Sequence, residues 1–396
     1  MEQGGGRVSL HRWACWLAIG WGCWASQAWG GGAPEPLEAE ALSTGSIDPT
    51  VTQRVYVADI AIGHISDGRI RVFDARQGRF LGMVSTAYAG NFSVHPQRRE
   101  LYVATTHLSR STRGERTDVL EVHDTESLAF QYEVVLPTKR AQALNYRGLV
   151  RSSSDGQWVY VQNATPATSI TVVDLAQRKV LSEVATPGCW GVLPAATHAR
   201  RISMLCGDGK VATLTLDASG QVQERRLSEK LFDADHDAWF HHAEQLGDRY
   251  WFVSFQGRLT QLDLGGAVAQ VIQAHELPKT RSSGRVWRPG GYQLFAVHPS
   301  GRYAVLAMHA QGGEGSHKRP AQQLWVMDLD HGQRLATWPG VSAIALTFSH
   351  DGQRLHALDG ETGALRMARW QGPQHLSWTT VVKRAGESSM HMESHD

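Results

Sequence analysis

A pattern of short strands and tight turns recurs along most of the chain and limits the folds that are open to it. Each copy has a turn such as Asp-Gly or Ser-Gly, a strand of branched and aromatic residues, and a second strand that often ends in Val-Asp or Leu-Asp. Asp-Gly and Ser-Gly suit hairpin turns because they tolerate positive φ. The alternation in Trp158-Val159-Tyr160-Val161 is typical of strands with one buried face. The pattern predicts an all-β protein.

The copies follow one another from Arg54 to Trp370, about every 40 to 60 residues, which is the spacing of β-propeller blades with loop insertions. No long segment with helical periodicity interrupts them. We therefore expect one domain, a seven-bladed β-propeller over residues 54–384. Six and eight blades stay open as alternatives, since the outermost strands are hard to place. The seven copies begin with RVYVADI, HPQRRELYV, SSDGQWVYV, HARRISML, LGDRYWFV, HPSGRYAVL and SHDGQRLHAL.

Residues 1–28 have the pattern of an export signal. A positively charged start precedes a short apolar run from Trp13 to Trp24, and Ser26-Gln27-Ala28 is a small-x-small step that a signal peptidase could cut. A membrane-spanning helix would need about 20 apolar residues, whereas this run is shorter and is broken by Gly20 and Gly22. We expect export with cleavage and no membrane span in the mature chain.

The two ends of the repeat region have different compositions from the repeats. Residues 29–53 are rich in Gly, Pro, Glu and Ser, which predicts a flexible arm, and residues 385–396, AGESSMHMESHD, predict a disordered tail. Long polar segments at 107–117 and 309–320 lie between strands, and loops of this kind often carry function on a rigid scaffold.

Cys189 and Cys206 are the only cysteines after residue 23. An exported protein enters an oxidising compartment where such pairs become disulfides. A zinc site is disfavoured because zinc usually takes four ligands, often with a close Cys-x-x-Cys pair. We expect a Cys189–Cys206 disulfide that joins the last strand of one blade to the first strand of the next.

Charge and motifs exclude several functions. Lys plus Arg is 39 and Asp plus Glu is 38, so no basic stripe points to nucleic acid. The segment 312–318, GGEGSHK, lacks the spacing of a phosphate-binding loop, and no Gly-x-Ser-x-Gly elbow of a serine hydrolase is present. These residues give no catalytic centre on this chain, and the natural role for such a propeller is to bind another protein.

Histidines and acidic residues are the remaining candidates for metal ligands and catalysts. His236, His241 and His242 lie close to aspartates in sequence, but their spacing matches no recognised ligand set, so we expect no metal site. Asp124 and Asp174 are candidates for a carboxylate pair of a glycosidase. Because they occupy the same strand-end position in two copies, we expect a structural role in turns instead.

Several segments, in this order, resemble the heavy (large) subunit of quinoprotein amine dehydrogenases, and most closely the aromatic amine (aralkylamine) dehydrogenase branch. The likeness runs from about Arg54 to Trp370. The segments that carry it include GRFLGMVSTAYAGNFSV (78–94), STRGERTDVLEVHD (111–124), residues 136–175, GCWGVLP with MLCGDG, WRPGGYQLFAVH (287–298) and GSHKRPAQQLWVMD (315–328).

This resemblance implies a periplasmic seven-bladed propeller that pairs with a small light subunit in a two-plus-two heterotetramer. The light subunit of the family carries tryptophan tryptophylquinone, which oxidises a primary amine to an aldehyde and ammonia. Electrons then pass to a blue copper protein, azurin or amicyanin. The resemblance therefore implies no cofactor and no catalytic residue on this chain. It also implies a heavy-subunit disulfide at the place of Cys189 and Cys206.

One residue of the substrate channel is implied by the same resemblance. The family has an aromatic residue, usually Phe, in a Gly-Met-x-x-x-x-aromatic stretch that reaches the channel beside the quinone. Here GMVSTAY places Tyr88 at that position. Its hydroxyl would need a partner or water if buried, which puts the choice of amine in question. Two other interpretations stay open, a methylamine dehydrogenase heavy chain and a periplasmic propeller that binds a ligand or protein without catalysis.

Overall fold

Antiparallel β-sheet makes up nearly all of the regular structure, as the repeat pattern predicts. The signal region and most of the N-terminal arm lie outside the described residues. Within the described residues there is no α-helix, and the helical turns are two 3-10 helices, Ile62–Asp67 and Ser316–Lys318. The fold is that of a computed structural model, which describes residues 45–95, 97, 99–142, 146–278 and 286–395.

The strands are short and follow one another closely. The first half of the chain contains β1 (Arg54–Asp59), β2 (Gly68–Asp74), β3 (Phe80–Val94), β4 (Glu100–Leu108), β5 (Arg116–Asp124), β6 (Phe130–Leu136), β7 (Val150–Ser152), β8 (Trp158–Asn163), β9 (Ser169–Asp174), β10 (Lys179–Ala185), β11 (Cys189–Pro194), β12 (Arg201–Cys206), β13 (Val211–Leu216) and β14 (Val222–Leu227). The second half contains β15 (Glu244–Leu246), β16 (Arg249–Val253), β17 (Arg258–Asp263), β18 (Gln270–Glu276), β19 (Arg288–Pro289), β20 (Phe295–Val297), β21 (Tyr303–His309), β22 (Gln323–Asp328), β23 (Gln333–Pro339), β24 (Ala343–Phe348), β25 (Arg354–Asp359), β26 (Leu365–Arg369), β27 (Trp378–Val382) and β28 (Ser389–His395).

Neighbouring strands in sequence are neighbours in the sheets. Four sheets have four strands each, β7–β10, β11–β14, β15–β18 and β24–β27, and a fifth joins β19 and β20 to β21, β22 and β23. The remaining path runs β28-β1-β2-β3-β4-β5-β6. The long strand β3 belongs to two parts of that path, because its residues up to Ala87 pair with β2 and its residues from Tyr88 pair with β4.

Each of the five separate sheets, and each of the two parts of the seven-stranded path, has one strand that lies next to the corresponding strand of a neighbouring sheet. We call these the inner strands: the part of β3 from Tyr88, β7, β11, β15, β20, β24 and β28. Contacts join β3 to β7, β7 to β11, β15 to β20, β20 to β24, β24 to β28, and β28 to β3. Burial follows the same order, since every residue of β24 is buried whereas β14, at the far edge of its sheet, is mostly exposed. This arrangement is consistent with a β-propeller.

The core lies between the faces of neighbouring sheets. The largest cluster contains Trp251 of β16, Phe295 of β20 and Trp325 of β22, so side chains of at least two sheets pack against one another. Full burial of one such large side chain stabilises the fold by about 1.5–3 kcal/mol. The alternating residues that predicted strands in the sequence supply these contacts, because successive residues of a strand point to opposite faces.

The prediction of a disordered tail over residues 385–396 is wrong for most of that segment. Ser389–His395 form β28, which pairs antiparallel with β1. His391 and Met392 are buried, and Glu393 is 6% exposed. The polar composition was misleading because this strand is an inner strand with buried side chains. Met392 packs in an apolar cluster with Val55 and Val57, and the ring of His391 stacks on Phe92.

The described part of the N-terminal arm is held by specific contacts, although flexibility was predicted over residues 29–53. The Ile47 backbone N–H donates to the Glu126 carbonyl at 2.7 Å. Gln53 Nε2 donates to Asp351 Oδ2 at 2.6 Å, and Gln53 Oε1 accepts from Arg354 Nη1 at 2.6 Å. Residues 45–53 form no strand, so sequence periodicity gave no sign of these contacts.

The Cys189–Cys206 disulfide is confirmed, but its place in the fold differs from the prediction. Cys189 begins β11 and Cys206 ends β12, and the two residues are direct partners in the register of these strands. The bridge therefore ties two neighbouring strands of one sheet, not two sheets. The prediction assigned Cys189 to the end of the preceding sheet, whereas β10 already ends at Ala185.

Candidate functional site

Tyr88 lies where β3 passes from one partner strand to the other. Its side chain is partly buried, and it pairs with Thr106 of β4. The residues on either side, Ala87 and Ala89, have φ of 40° and 49°, in the left-handed region that residues with a Cβ rarely adopt. Such a conformation costs about 1–3 kcal/mol per residue and persists only where the surroundings hold it in place. The backbone that presents Tyr88 is therefore fixed by its neighbours.

Arg140 supplies much of that constraint. Its side chain is almost fully buried, at 2% exposure. Nη2 donates to the Tyr88 carbonyl and to Thr106 Oγ1, each at 2.8 Å. Nη1 donates to the Ala89 carbonyl at 2.8 Å and to the Ala141 carbonyl at 3.0 Å. One planar guanidinium thus holds the backbone immediately at and after Tyr88 in a fixed geometry.

Asp118 holds Arg140 from the other side. It is completely buried and accepts from the backbone N–H of Arg140 at 3.1 Å and from Thr106 Oγ1 at 2.6 Å. Arg116 adds two hydrogen bonds to the same carboxylate, at 2.8 and 2.6 Å. Burial lowers the pKa of Arg140 to about 10, while Asp118 acts in the opposite direction. We call Arg140, Thr106, Asp118 and Arg116 the Tyr88 support.

Close packing requires glycine at position 90, two residues after Tyr88. A Cβ on Gly90 would lie 2.4 Å from Cβ of Thr86, a distance that side chains do not tolerate. The register between β3 and β4 also shifts between Tyr88 and Asn91. Bulges of this kind redirect a strand and often lie beside functional sites.

A second polar cluster lies among the inner strands. Arg147 Nη1 is 2.8 Å from Glu244 Oε1, and Arg147 Nε is 3.6 Å from Glu393 Oε1. Glu393 Oε2 accepts from the Val94 backbone N–H at 2.9 Å. Burial by itself would lower the pKa of Arg147, but the two carboxylates outweigh burial and raise the pKa. We call Arg147, Glu244 and Glu393 the central triad.

His241 packs beside the central triad. Its ring lies so close to position 191 that only glycine fits there. A Cβ on Gly191, whose φ is +85°, would lie 2.3 Å from Cε1 of His241. The ring of Tyr146 is 6.0 Å from the His241 ring and 6.3 Å from the ring of Tyr292. Burial, followed by the nearby His242, lowers the pKa of His241 to about 4. The imidazole is therefore neutral at ordinary pH.

The three histidines that were candidate metal ligands do not form one cluster in the structure. His236 lies at the surface, with Nδ1 2.9 Å from Asp233 Oδ2. His241 and His242 both lie beside the central triad, and His242 Nε2 is 3.3 Å from Glu244 Oε1 and 2.9 Å from the Phe295 carbonyl. Across the described residues, no group of three or more His, Cys, Asp or Glu side chains is placed to hold a metal ion.

The predicted structural role of Asp124 and Asp174 is confirmed. Asp124 Oδ1 accepts from the backbone N–H groups of Glu126 and Ser127, at 3.0 and 2.7 Å. Asp174 Oδ1 accepts from the Gln177 backbone N–H at 2.7 Å. Both aspartates thus close the turn that follows their strand.

The Tyr88 support and the central triad were missed in the sequence. Asp118 gave a weak signal, because it shares a strand face with the apolar Leu120 and Val122, where a carboxylate is unexpected. Arg140 lies in a connection between strands, and nothing local to it indicates burial. Its partners at Tyr88 and Thr106 are distant in sequence, so only the fold brings them together.

Within the described residues, no helix has the length and apolar character needed to cross a bilayer.

Comparison with known proteins gives both a family and a set of similar folds. The family model described as methylamine dehydrogenase heavy chain (MADH) matches residues 51–367. Methylamine dehydrogenase heavy chain of Methylophilus methylotrophus is 25% identical over 286 residues, which cover 72% of this chain and 69% of that protein. The protein of the same name from Paracoccus versutus is 26% identical over 313 residues, 77% of this chain and 69% of its own length.

Solved structures with low identity share the fold alone. A periplasmic gluconolactonase of Pseudomonas aeruginosa superposes with a TM-score of 0.59 at 15% identity, covering 87% of this chain and 99% of that one. A protein from Lactobacillus plantarum gives a TM-score of 0.62 at 9% identity, with the same coverage of 87% and 99%.

Proposed function

This chain belongs to the methylamine dehydrogenase heavy chain family, and from that premise we propose that it is the large subunit of a quinoprotein amine dehydrogenase. The observation that carries the proposal is the family match over residues 51–367, which spans almost all of the described sheets. In this role the chain is part of an oxidoreductase that converts primary amines to aldehydes and ammonia.

The chemistry and the scaffold are divided between two subunits in this proposal. A small light subunit carries tryptophan tryptophylquinone, which supplies the oxidation of the amine. This chain supplies orientation and exclusion of water around that group, which are the tasks of protein in cofactor enzymes. Tyr88 faces the amine as it enters, and Arg140 keeps the backbone of Tyr88 in place through two carbonyl oxygens. No catalytic residue is assigned to this chain.

We also infer that the fold has seven blades. Dividing the seven-stranded path at Tyr88 of β3 gives two sets of four strands, and each of the other five sheets supplies one further set. Pairing of β28 with β1 joins the end of the described chain to its first strand, as ring closure requires. Closure covers the inner edge of β1 with β28, so β1 offers no free edge for pairing with another chain.

The assembly and location follow the same family interpretation. We propose cleavage of residues 1–28, residence in the periplasm, and a heterotetramer of two large and two light subunits. The electron acceptor in this proposal is a blue copper protein, azurin or amicyanin. The Cys189–Cys206 disulfide supports an oxidising location, since disulfides are rare in reducing compartments.

The aromatic amines are the substrate class that we propose first, with tyramine, phenylethylamine and tryptamine as examples. The support is the segment likeness, above all the stretch from 136 to 175 that contains Arg140. Methylamine is the second candidate, and a specific observation favours it, because the curated relatives described above are named methylamine dehydrogenase heavy chains. In either case Tyr88 lies on the segment of β3 where the strand passes from pairing with β2 to pairing with β4.

Co-expression with the exported, cysteine-rich light subunit tests the proposal. We expect quinone absorbance and amine-dependent dye reduction from the purified complex, and neither from this chain alone. Comparing kcat/KM for phenylethylamine and methylamine then separates the two substrate classes. Dye reduction by this chain alone would contradict the division of labour. A folded chain that neither binds the light subunit nor supports dye reduction would favour a non-catalytic binding protein.

A further inference from the structure

A polar cavity lies at the opposite end of the inner strands from Tyr88. Its volume is about 350 Å³, and the carboxyl ends of several inner strands form its wall. Tyr88 begins the inner part of β3 and Val94, which lines the cavity, ends it. Opposite this stretch, β4 runs from Thr106, the partner of Tyr88, to Leu101, the partner of Val94. Five residues of extended strand span about 17 Å, so the cavity is separate from the candidate substrate channel.

One wall of this cavity carries an uncompensated positive charge. Arg151 Nη2 donates to Gln245 Oε1 at 2.6 Å. The Gln245 amide is held in turn by the carbonyls of Pro194 and Gly247, at 3.3 and 3.1 Å. Among the described residues, no carboxylate lies within ion-pair distance of Arg151. The guanidinium therefore keeps donors for an anionic oxygen.

The other wall carries an excess of negative charge. In the central triad one guanidinium, that of Arg147, serves the two carboxylates of Glu244 and Glu393. Glu393 is 6% exposed and lines the cavity, yet its Oε1 has no hydrogen bond. The hydroxyl of Ser394, which is 8% exposed and also lines the cavity, has none either. A buried polar atom without a hydrogen bond is costly, so a ligand that supplies hydrogen bonds to Glu393 Oε1 and Ser394 would be stabilised here.

We propose that this cavity binds a small zwitterion of the α-amino acid class. Its carboxylate contacts Arg151, and its ammonium group contacts Glu393 Oε1. A simple anion such as phosphate would meet the excess negative charge of the central triad, and a simple amine would meet Arg151. A ligand with both charges avoids each repulsion and gives both walls a partner. This site goes beyond the proposed amine dehydrogenase function and does not depend on it.

Three ligands of nearly the same size test the proposal by isothermal titration calorimetry on the full-length mature protein at pH 7, where the amino groups of L-alanine and alaninamide are both mostly protonated. The probes are L-alanine, propionate, which lacks the ammonium group, and alaninamide, which lacks the carboxylate. We expect L-alanine to bind at least about tenfold more tightly than either of the others, since each of them forfeits a charge-assisted hydrogen bond. Equal binding of all three, binding of inorganic phosphate in preference to L-alanine, or absence of any binding would overturn the proposal.

Two substitutions assign the contacts. Arg151→Gln should lower the affinity for L-alanine about tenfold and should not weaken alaninamide, which has no carboxylate to lose and is relieved of a repulsion. Glu393→Gln should lower the affinity for L-alanine and should not weaken propionate, for the corresponding reason. Arg225→Gln, at an exposed position of β14, is the matched control and should change nothing. If Arg151→Gln weakens L-alanine and alaninamide equally, the carboxylate contact is wrong. The ligand series on the unaltered protein decides the question even if a variant fails to fold.

Discussion

Arg140 and Arg147 are seven positions apart in the sequence, and their surroundings are opposite in kind. The side chain of Arg140 donates to three backbone carbonyls and one hydroxyl, all of them neutral oxygens. Arg147 instead lies between two carboxylates. Burial accordingly lowers the pKa of Arg140 to about 10, whereas the carboxylates raise the pKa of Arg147.

The difference shows that an arginine with little solvent exposure can serve in two ways. Arg140 exploits the shape of the guanidinium, whose fixed fork reaches several carbonyls and sets the path of the backbone around Tyr88. Arg147 exploits the charge, which makes it possible to bury two carboxylates side by side. Removal of Arg140 should therefore disturb a local geometry, whereas removal of Arg147 should disturb the stability of the whole centre.

Arg147→Met should have the largest effect. It leaves the carboxylates of Glu244 and Glu393, whose side chains are 12% and 7% exposed, without their arginine. Loss of one partner of a buried pair costs about 3–5 kcal/mol, and we expect the lower end of that range because the Arg147 side chain is itself 24% exposed. Urea unfolding followed by tryptophan fluorescence measures the loss. Adding Glu244→Gln and Glu393→Gln to the same chain should recover part of it, because the unpaired charges are then gone. A loss below about 1 kcal/mol would show that the charges are not a unit.

Arg140→Met should destabilise less but alter the candidate site more. Several buried oxygens lose a donor, which we expect to cost about 2–3 kcal/mol. The residues flanking Tyr88 are then free to leave their left-handed conformation, so the ratio of kcat/KM for phenylethylamine and methylamine should shift in the two-subunit enzyme. Arg147→Met should leave that ratio unchanged in whatever fraction is folded. If the two variants move the ratio equally, the distinction between geometry and charge fails.

His241 makes the central region sensitive to acid. Its pKa is lowered from 6.5 to about 4 in the folded protein, so between those values the unfolded chain binds the proton and the folded one does not. Stability is therefore present above about pH 6.5 and falls as the pH drops toward 4. Linkage gives about 2 kcal/mol lost between pH 7.5 and pH 5 from this group. His241→Gln should remove about this amount of the pH dependence in urea titrations, while His309 and His356, whose pKa values are also lowered to about 4, should keep contributing to it. His375→Gln, at an exposed position, should leave the dependence unchanged.

Tyr88 variants should have the smallest effect on stability. Tyr88→Phe removes only a hydroxyl from a partly buried side chain, so we expect a change below about 1 kcal/mol and nearly unchanged kinetics. Tyr88→Ala removes the ring and should change the kcat/KM ratio for phenylethylamine and methylamine about tenfold or more, in the range that pocket size controls. An unchanged ratio in Tyr88→Ala would remove Tyr88 from the substrate channel.

Local patterns predicted the parts of the fold that depend on local chemistry. Alternation and Asp-Gly or Ser-Gly turns predicted the strands, and the two remaining cysteines predicted their own pairing, as the structure confirms. The seven-blade count stays a prediction. The errors concern placement: Cys189 belongs to β11, and the polar end of the chain is an inner strand. Polar residues signal solvent only when the sheet turns them outward, and sequence alone does not show which way a strand faces.

The candidate site could be predicted only at one residue. The resemblance pointed to Tyr88, and its role stays a prediction. The Tyr88 support could not be predicted, because Arg140 is separated in sequence by 52 positions from Tyr88 and by 34 from Thr106. Contacts of that range arise when strands from different parts of the chain are brought together. The central triad is more extreme, since Arg147 and Glu393 meet across most of the chain.

Pairing of β28 with β1 has a consequence for the order of events during synthesis. Among the described strands β1 is synthesised first and β28 last, so the first sheet lacks one of its strands until translation has passed residue 395. A chaperone thus meets a first sheet that is incomplete until the end of translation, and a tag fused directly after β28 should hinder the pairing of β28 with β1 more than a tag placed before the N-terminal arm.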